Sequence, residues 1–99
     1  MHFIITAFDK DDSLDLRMSV RPDHLAYAAE KGITVLGGPL LSEDEDPKPR
    51  GSMIIVDVSS RAEAEEFAQN DPYNKAGLFD KVTVRRWMGA IGPWLPTGV

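Results

Sequence analysis

The chain has no cysteine among its 99 residues, which rules out disulfides, thiolate nucleophiles and thiolate metal centres together. Histidine is scarce too: His2 and His24 are the two in the sequence, far apart and not in ligand spacing, so neither a metal nor a redox cofactor is expected. Basic residues are outnumbered, 11 Lys and Arg against 16 Asp and Glu, for a formal charge of −5. Without clustered Lys and Arg, no nucleic acid and no anionic membrane is expected as a partner. The apolar start, residues 1 to 8, is short, lacks a basic flank and runs into Asp9, so no signal peptide is expected and the cytoplasm is the expected compartment.

An apolar content of 42% in 99 residues suits one domain, residues 1–99, with a core of ordinary size and a Pro/Gly-rich tail over 89–99. Residues 2 to 8 are rich in β-formers, and both alternate sets carry apolar side chains: Phe3, Ile5 and Ala7 on one side, Ile4 and Phe8 on the other. A charged loop, Asp9 to Ser13, leads to a short helical stretch from Ser13 to about Val20. Pro22 interrupts or restarts it, so the main helix is expected from Pro22 to Lys31, stopped by Gly32, with Leu25, Ala28 and Ala29 inward and His24 on the side of Tyr27 and Ala28.

Ile33 to Leu36 predicts a second strand, with a bulge or a close backbone approach at Gly37-Gly38-Pro39 before Leu40 and Leu41 resume it. Ser42 to Arg50, holding four consecutive acids and two of the prolines, reads as a solvated, mobile hairpin loop. Met53 to Val58 is a third strand, and Lys81 to Met88 a fourth with clean alternation. Ile91, Trp94 and Leu95 in the tail are expected to pack on a neighbour.

Between the last two strands, Ser59 to Asn70 reads as a helix opened by a capping box of Ser60 and Glu63, with a buried stripe of Ala64, Phe67 and Ala68. One more helical step from Phe67 reaches Asp71, at the partially negative end of the helix and against Pro72. Pro72 forces Asp71 out of the α region and fixes its direction. Two readings stand: Asp-Pro as a plain turn opener, or an acid held in place for chemistry. His24 is open in the same way, between a satisfied surface or half-buried imidazole and a functional one.

The order strand, helix, strand, strand, helix, strand is the split βαβ pattern of an α+β, ferredoxin-like sandwich: a four-stranded antiparallel sheet with two helices on one face. Strands that are apolar on both sides leave the other face uncovered, and a sheet-to-sheet homodimer is the simplest cover.

Arg21-Pro22-Asp23-His24-Leu25, Gly38-Pro39-Leu40, Gly51-Ser52-Met53, Ala62-Glu63-Ala64, Asn70-Asp71-Pro72-Tyr73 and Gly77-Leu78-Phe79, in that order, give a sequence that resembles the YciI-like (YCII-related) family of the dimeric α/β-barrel superfamily. The resemblance runs from the first strand to Trp87 and implies a homodimer of ferredoxin-like subunits, with a pocket where a histidine and an aspartate form a catalytic pair. At the matching positions these are His24 and Asp71. Arg21, Gly38, Pro39, Ser52 and Tyr73 are the candidates for lining that pocket and binding a small-molecule ligand. An aspartate on one ring nitrogen holds the tautomer, and the other nitrogen is free to move a proton near neutral pH. The expected activity is cofactor-independent acid-base catalysis, an isomerisation or elimination on a small organic acid, cyclic ones included. The alternative is a dimeric binding or regulatory module that holds a metabolite without turning it over.

Overall fold

A computed structural model describes residues 1–95 of the chain; Pro96 to Val99 of the expected tail lie outside the described residues. The elements run β1 (His2–Asp9), α1 (Leu14–Lys31), β2 (Thr34–Leu41), β3 (Pro49–Asp57), α2 (Arg61–Gln69), α3 (Pro72–Lys75) and β4 (Phe79–Trp87). The strands form one antiparallel sheet in the order β2-β3-β1-β4, the ferredoxin-like arrangement. Helix α1 lies over β2 and β3, and α2 over β1 and β4.

Register separates the two faces, because residues directly opposite on neighbouring strands share a side. Phe3 pairs with Val56 and Ile5 with Ile54, and these four meet Ala64, Phe67 and Ala68 of α2 in the core. Each fully buried side chain of this size contributes about 1.5–3 kcal/mol by leaving water. The opposite, helix-free face carries Ile4, Ile55, Leu36 and Met53 by the same register, with Phe8 exposed on it. Among the described residues no helix is long and apolar enough to cross a membrane.

Several local expectations are corrected. The first helix is one continuous element with Pro22 inside it. Pro22 is exposed and has no N–H to give to the carbonyl of Met18, so the helix runs through it with that bond missing. The inward stripe runs through Arg17, His24, Tyr27 and Ala28; Ala29 is exposed and Leu25, one position past His24, is 47% exposed, so neither packs in the core. Ser13 precedes α1 without a side-chain cap and donates instead to Asp11 O at 3.2 Å. Gly32 takes the left-handed stop position at φ 64° as expected.

Gly37, Gly38 and Pro39 stay in regular register within β2, and the irregularities fall on either side, between Thr34 and Leu36 and between Leu40 and Leu41. β3 begins at Pro49, so the acidic loop is shorter than expected, and it is closed by reciprocal bonds: Ser42 N–H to Lys48 O and Lys48 N–H to Ser42 Oγ, both 2.9 Å. Ile91 and Trp94 are exposed rather than packed within the chain, and Leu95 is too; from Met88 to Leu95 the chain lies outside the sheet and forms no regular element.

Gly51 pairs with Phe8, and a Cβ placed on it would sit 2.3 Å from Ala7 O. That carbonyl belongs to the central strand and cannot retreat without breaking the ladder. Gly51→Ala is expected to lower stability by about 1–3 kcal/mol, read as a lower denaturant midpoint with an unchanged slope.

Candidate active site

Helix α1 positions one set of polar groups. Arg17, Arg21 and His24 follow at steps of four and three, so they share the face turned toward the sheet and toward α3. The second set comes from the end of α2. Ser60 caps that helix by accepting from Glu63 N–H at 3.2 Å, and Glu63 reaches back to Ser59 N–H at 3.2 Å. Asn70 ends it, and Asp71 turns to φ −58°, ψ 130°, the extended region that a following proline imposes.

The stretch after Asp71, expected as a plain connection, is the single helical turn α3, and Asp71 is its N-cap, Oδ1 accepting from Tyr73 N–H at 2.9 Å. The same carboxylate meets His24 Nδ1, with Oδ1 and Oδ2 each at 3.0 Å. Turn opener and histidine partner are therefore one residue. Asp71 is 3% exposed, so these protein donors rather than water satisfy its oxygens. An ionised carboxylate only accepts, which places a proton on His24 Nδ1 and leaves Nε2 without a partner among the described residues.

The helices are clamped beside this pair. Tyr27, three residues after His24, donates from its hydroxyl to Phe67 O at 3.0 Å and stacks on the Phe67 ring with centroids 5.0 Å apart. Tyr73 is buried and stacks on the His24 imidazole at 4.3 Å, and the Arg17 guanidinium lies 4.5 Å from the Tyr73 ring centroid.

A cavity of about 270 Å³ opens between α1 and β2–β3. Of the residues singled out from sequence, Arg21, His24, Gly38, Pro39, Ser52 and Tyr73 all line it, while Asp71 sits behind His24. Gly38 has no neighbouring atom within 4 Å of where a Cβ would stand, so its bare backbone borders open space. Arg21 has no ion-pair partner among the described residues. Arg17 and Asp9 escaped the sequence reading. Arg17 donates from Nε to Asp9 Oδ2 at 2.7 Å and from Nη2 to Asp9 Oδ1 at 3.0 Å and to Ser52 Oγ at 2.8 Å. The signal was present: Arg17 is four residues before Arg21 and seven before His24, hence on the same face. Among the described residues no cluster of His, Asp and Glu has the form of a metal site.

Burial pushes the Tyr73 phenol above its ordinary value; the Arg17 and Arg21 charges draw it down and the Asp71 charge adds to the rise. Tyr27 is raised as well, by burial first and then by Asp71, Glu66 and Glu30. Tyr73 is thus a neutral phenol at neutral pH and no base there. Both phenols release protons more readily unfolded than folded, so their contribution to stability is complete below about pH 10 and is lost as pH rises beyond it. These are the two tyrosines of the chain. Alkaline titration followed by tyrosinate absorbance is expected to show both ionising above about pH 10 in the native protein, with a jump in absorbance when denaturant is added at that pH.

The model of the YCII-related domain matches residues 1–88. Protein YciI of Escherichia coli O6:H1 is 38% identical over 92 residues, spanning 86% of this chain and 94% of the relative. Among solved structures, 5-chloro-2-hydroxyhydroquinone dehydrochlorinase (TftG) from Burkholderia phenoliruptrix AC1100, in complex with 2,5-dihydroxybenzoquinone, superposes with a TM-score of 0.83 at 36% identity, over 90% of this chain and 96% of that one. An antibiotic biosynthesis monooxygenase shares the fold at a TM-score of 0.51 and 14% identity, over 92% of this chain and 98% of its own. With its first 88 residues matched and its fold shared, the chain belongs to the YCII-related family.

Proposed function

We propose that the protein is an acid-base enzyme acting on a small anionic ring compound, with His24 as the proton carrier and Asp71 as its orienting partner. The observation that carries this reading is the 3.0 Å contact of His24 Nδ1 with the buried Asp71 carboxylate at the wall of the cavity. Nε2 takes a proton from a substrate C–H beside a carbonyl and the C–H electron pair moves through the ring onto the carbonyl oxygen; the pair then either returns and departs with the leaving group, His24 giving up its proton to the solvent, or takes the proton back at another carbon. Asp71 supports the imidazolium formed in between. Arg21, without an ion-pair partner among the described residues and at the rim of the cavity in a chain with net charge −5, supplies the attraction for a substrate anion. The likeness to a dehydrochlorinase holding a dihydroxyquinone supports a substrate of this kind.

Chloride release from 5-chloro-2-hydroxyhydroquinone, measured under reducing conditions, tests the reading. His24→Ala and Asp71→Asn are each expected to lower the rate about 10²–10⁴-fold while the melting transition stays cooperative. Full activity in both variants would make the pair structural, and binding without turnover by the native protein would make the chain a binding module.

We also propose that two copies pair through the helix-free face, where Phe8, Ile4, Leu36 and Met53 form an apolar surface with no helix over it. Sedimentation equilibrium is expected to return twice the chain mass of 10.9 kDa; a monomer at micromolar concentration would sink the pairing.

A further inference from the structure

The proposed reaction places negative charge on a substrate oxygen, and the proton carrier cannot stabilise it, since His24 sits where the proton leaves. A donor is needed elsewhere in the same cavity. Ser52 lines that cavity and is 5% exposed. Its Oγ accepts from Arg17 Nη2 at 2.8 Å. A guanidinium has five N–H donors and no acceptor, so this bond must use a lone pair of the serine. The hydroxyl proton is then left to point elsewhere, and among the described residues Ser52 Oγ meets no other partner.

The guanidinium cannot turn away to release that lone pair. Two of its N–H groups are bound to Asp9, both side chains are about 95% buried, at 5% and 4% exposure, and the forked geometry locks the plane. An accepted bond from a cation also polarises the hydroxyl and makes it a stronger donor. The same arrangement argues against Ser52 as a nucleophile, because no base reaches its proton. We propose that Ser52 donates the hydrogen bond that receives developing negative charge on the substrate oxygen, and that the buried Arg17–Asp9 pair is the positioning unit that turns its proton into the cavity. This inference rests on the acid-base reading of the site. In the step itself His24 Nε2 gains the proton, the substrate electron pair moves onto oxygen, and the Ser52 O–H bond is never broken.

The test is a titration of the native protein and its variants with 2,5-dihydroxybenzoquinone, an acidic coloured ring compound, following both affinity and the visible band of the bound species. Ser52→Ala is expected to weaken binding about tenfold and to move the bound band toward that of the free anion, with Ser52→Thr recovering much of both. Arg17→Lys keeps a charge for Asp9 and loses the fork, so it is expected to weaken binding too. The Ser52→Ala/Arg17→Lys double variant is expected to bind no more weakly than Ser52→Ala alone. Native affinity and an unmoved band in folded Ser52→Ala would overturn the donor role while leaving the acid-base reading intact, and additive losses in the double variant would overturn the positioning role. Absence of binding by the native protein would remove the ring-anion reading and this inference with it.

Discussion

A helix that lays polar side chains against a sheet must bring each of them a partner, because an unpaired buried charge costs several kcal/mol and an unpaired buried hydroxyl about 1–3. Helix α1 is under this constraint along most of its length. Arg17 is met by Asp9 from β1 and by Ser52 from β3, His24 by Asp71 from the end of α2, and Tyr27 by the carbonyl of Phe67. The four partners lie on β1, on β3 and on α2 with its end, so satisfying the stripe fixes where α1 sits relative to the sheet and to α2. The cavity is what remains between them, where Gly37 and Gly38 bring no side chains.

The clamp between the helices explains the tight approach of imidazole and carboxylate. Tyr27 is three residues past His24, and Phe67 is four before Asp71, so the two contacts run side by side along one seam. Phe67 is also core, packed with Phe3 and Val56. A shift of α1 that opened the His24–Asp71 pair would therefore have to break a hydrogen bond, an aromatic stack and part of the core packing together. For the proposed acid-base role, being held by such surroundings fixes the pair's geometry more tightly than its own bond alone would.

Much of this was legible along the chain, and the exceptions have physical causes. The Ser60–Glu63 box, the Ala64, Phe67 and Ala68 stripe and the Gly32 stop are written in local chemistry and appear as read. The bend at Asp71 follows from Pro72 in the same way. Hydrophobicity alone points Leu25 inward, but it stands one position past His24 on a helix whose inward stripe runs through Arg17, His24 and Ala28, and it stays half exposed. Helical spacing puts Arg17 on the face of Arg21 and His24, but its burial is justified only by partners 8 residues back at Asp9 and 35 residues on at Ser52, and that pairing is not written in the local pattern. The tail residues Ile91 and Trp94 were assigned to packing on their hydrophobicity alone, and within one chain they stay exposed.

The amino-acid order by itself determined the strand and helix sequence, the ferredoxin-like sheet order that goes with it, the capped second helix and the orientation of Asp71, because each depends on periodicity, caps or proline geometry within a few residues. Only the tertiary structure decided that the Asp71 carboxylate faces His24 while capping the next turn, and that Arg17 reaches Ser52 across the sheet. Those contacts join residues 47 and 35 positions apart, and their distances are set by how a helix packs on a twisted sheet, which no short stretch of chain encodes.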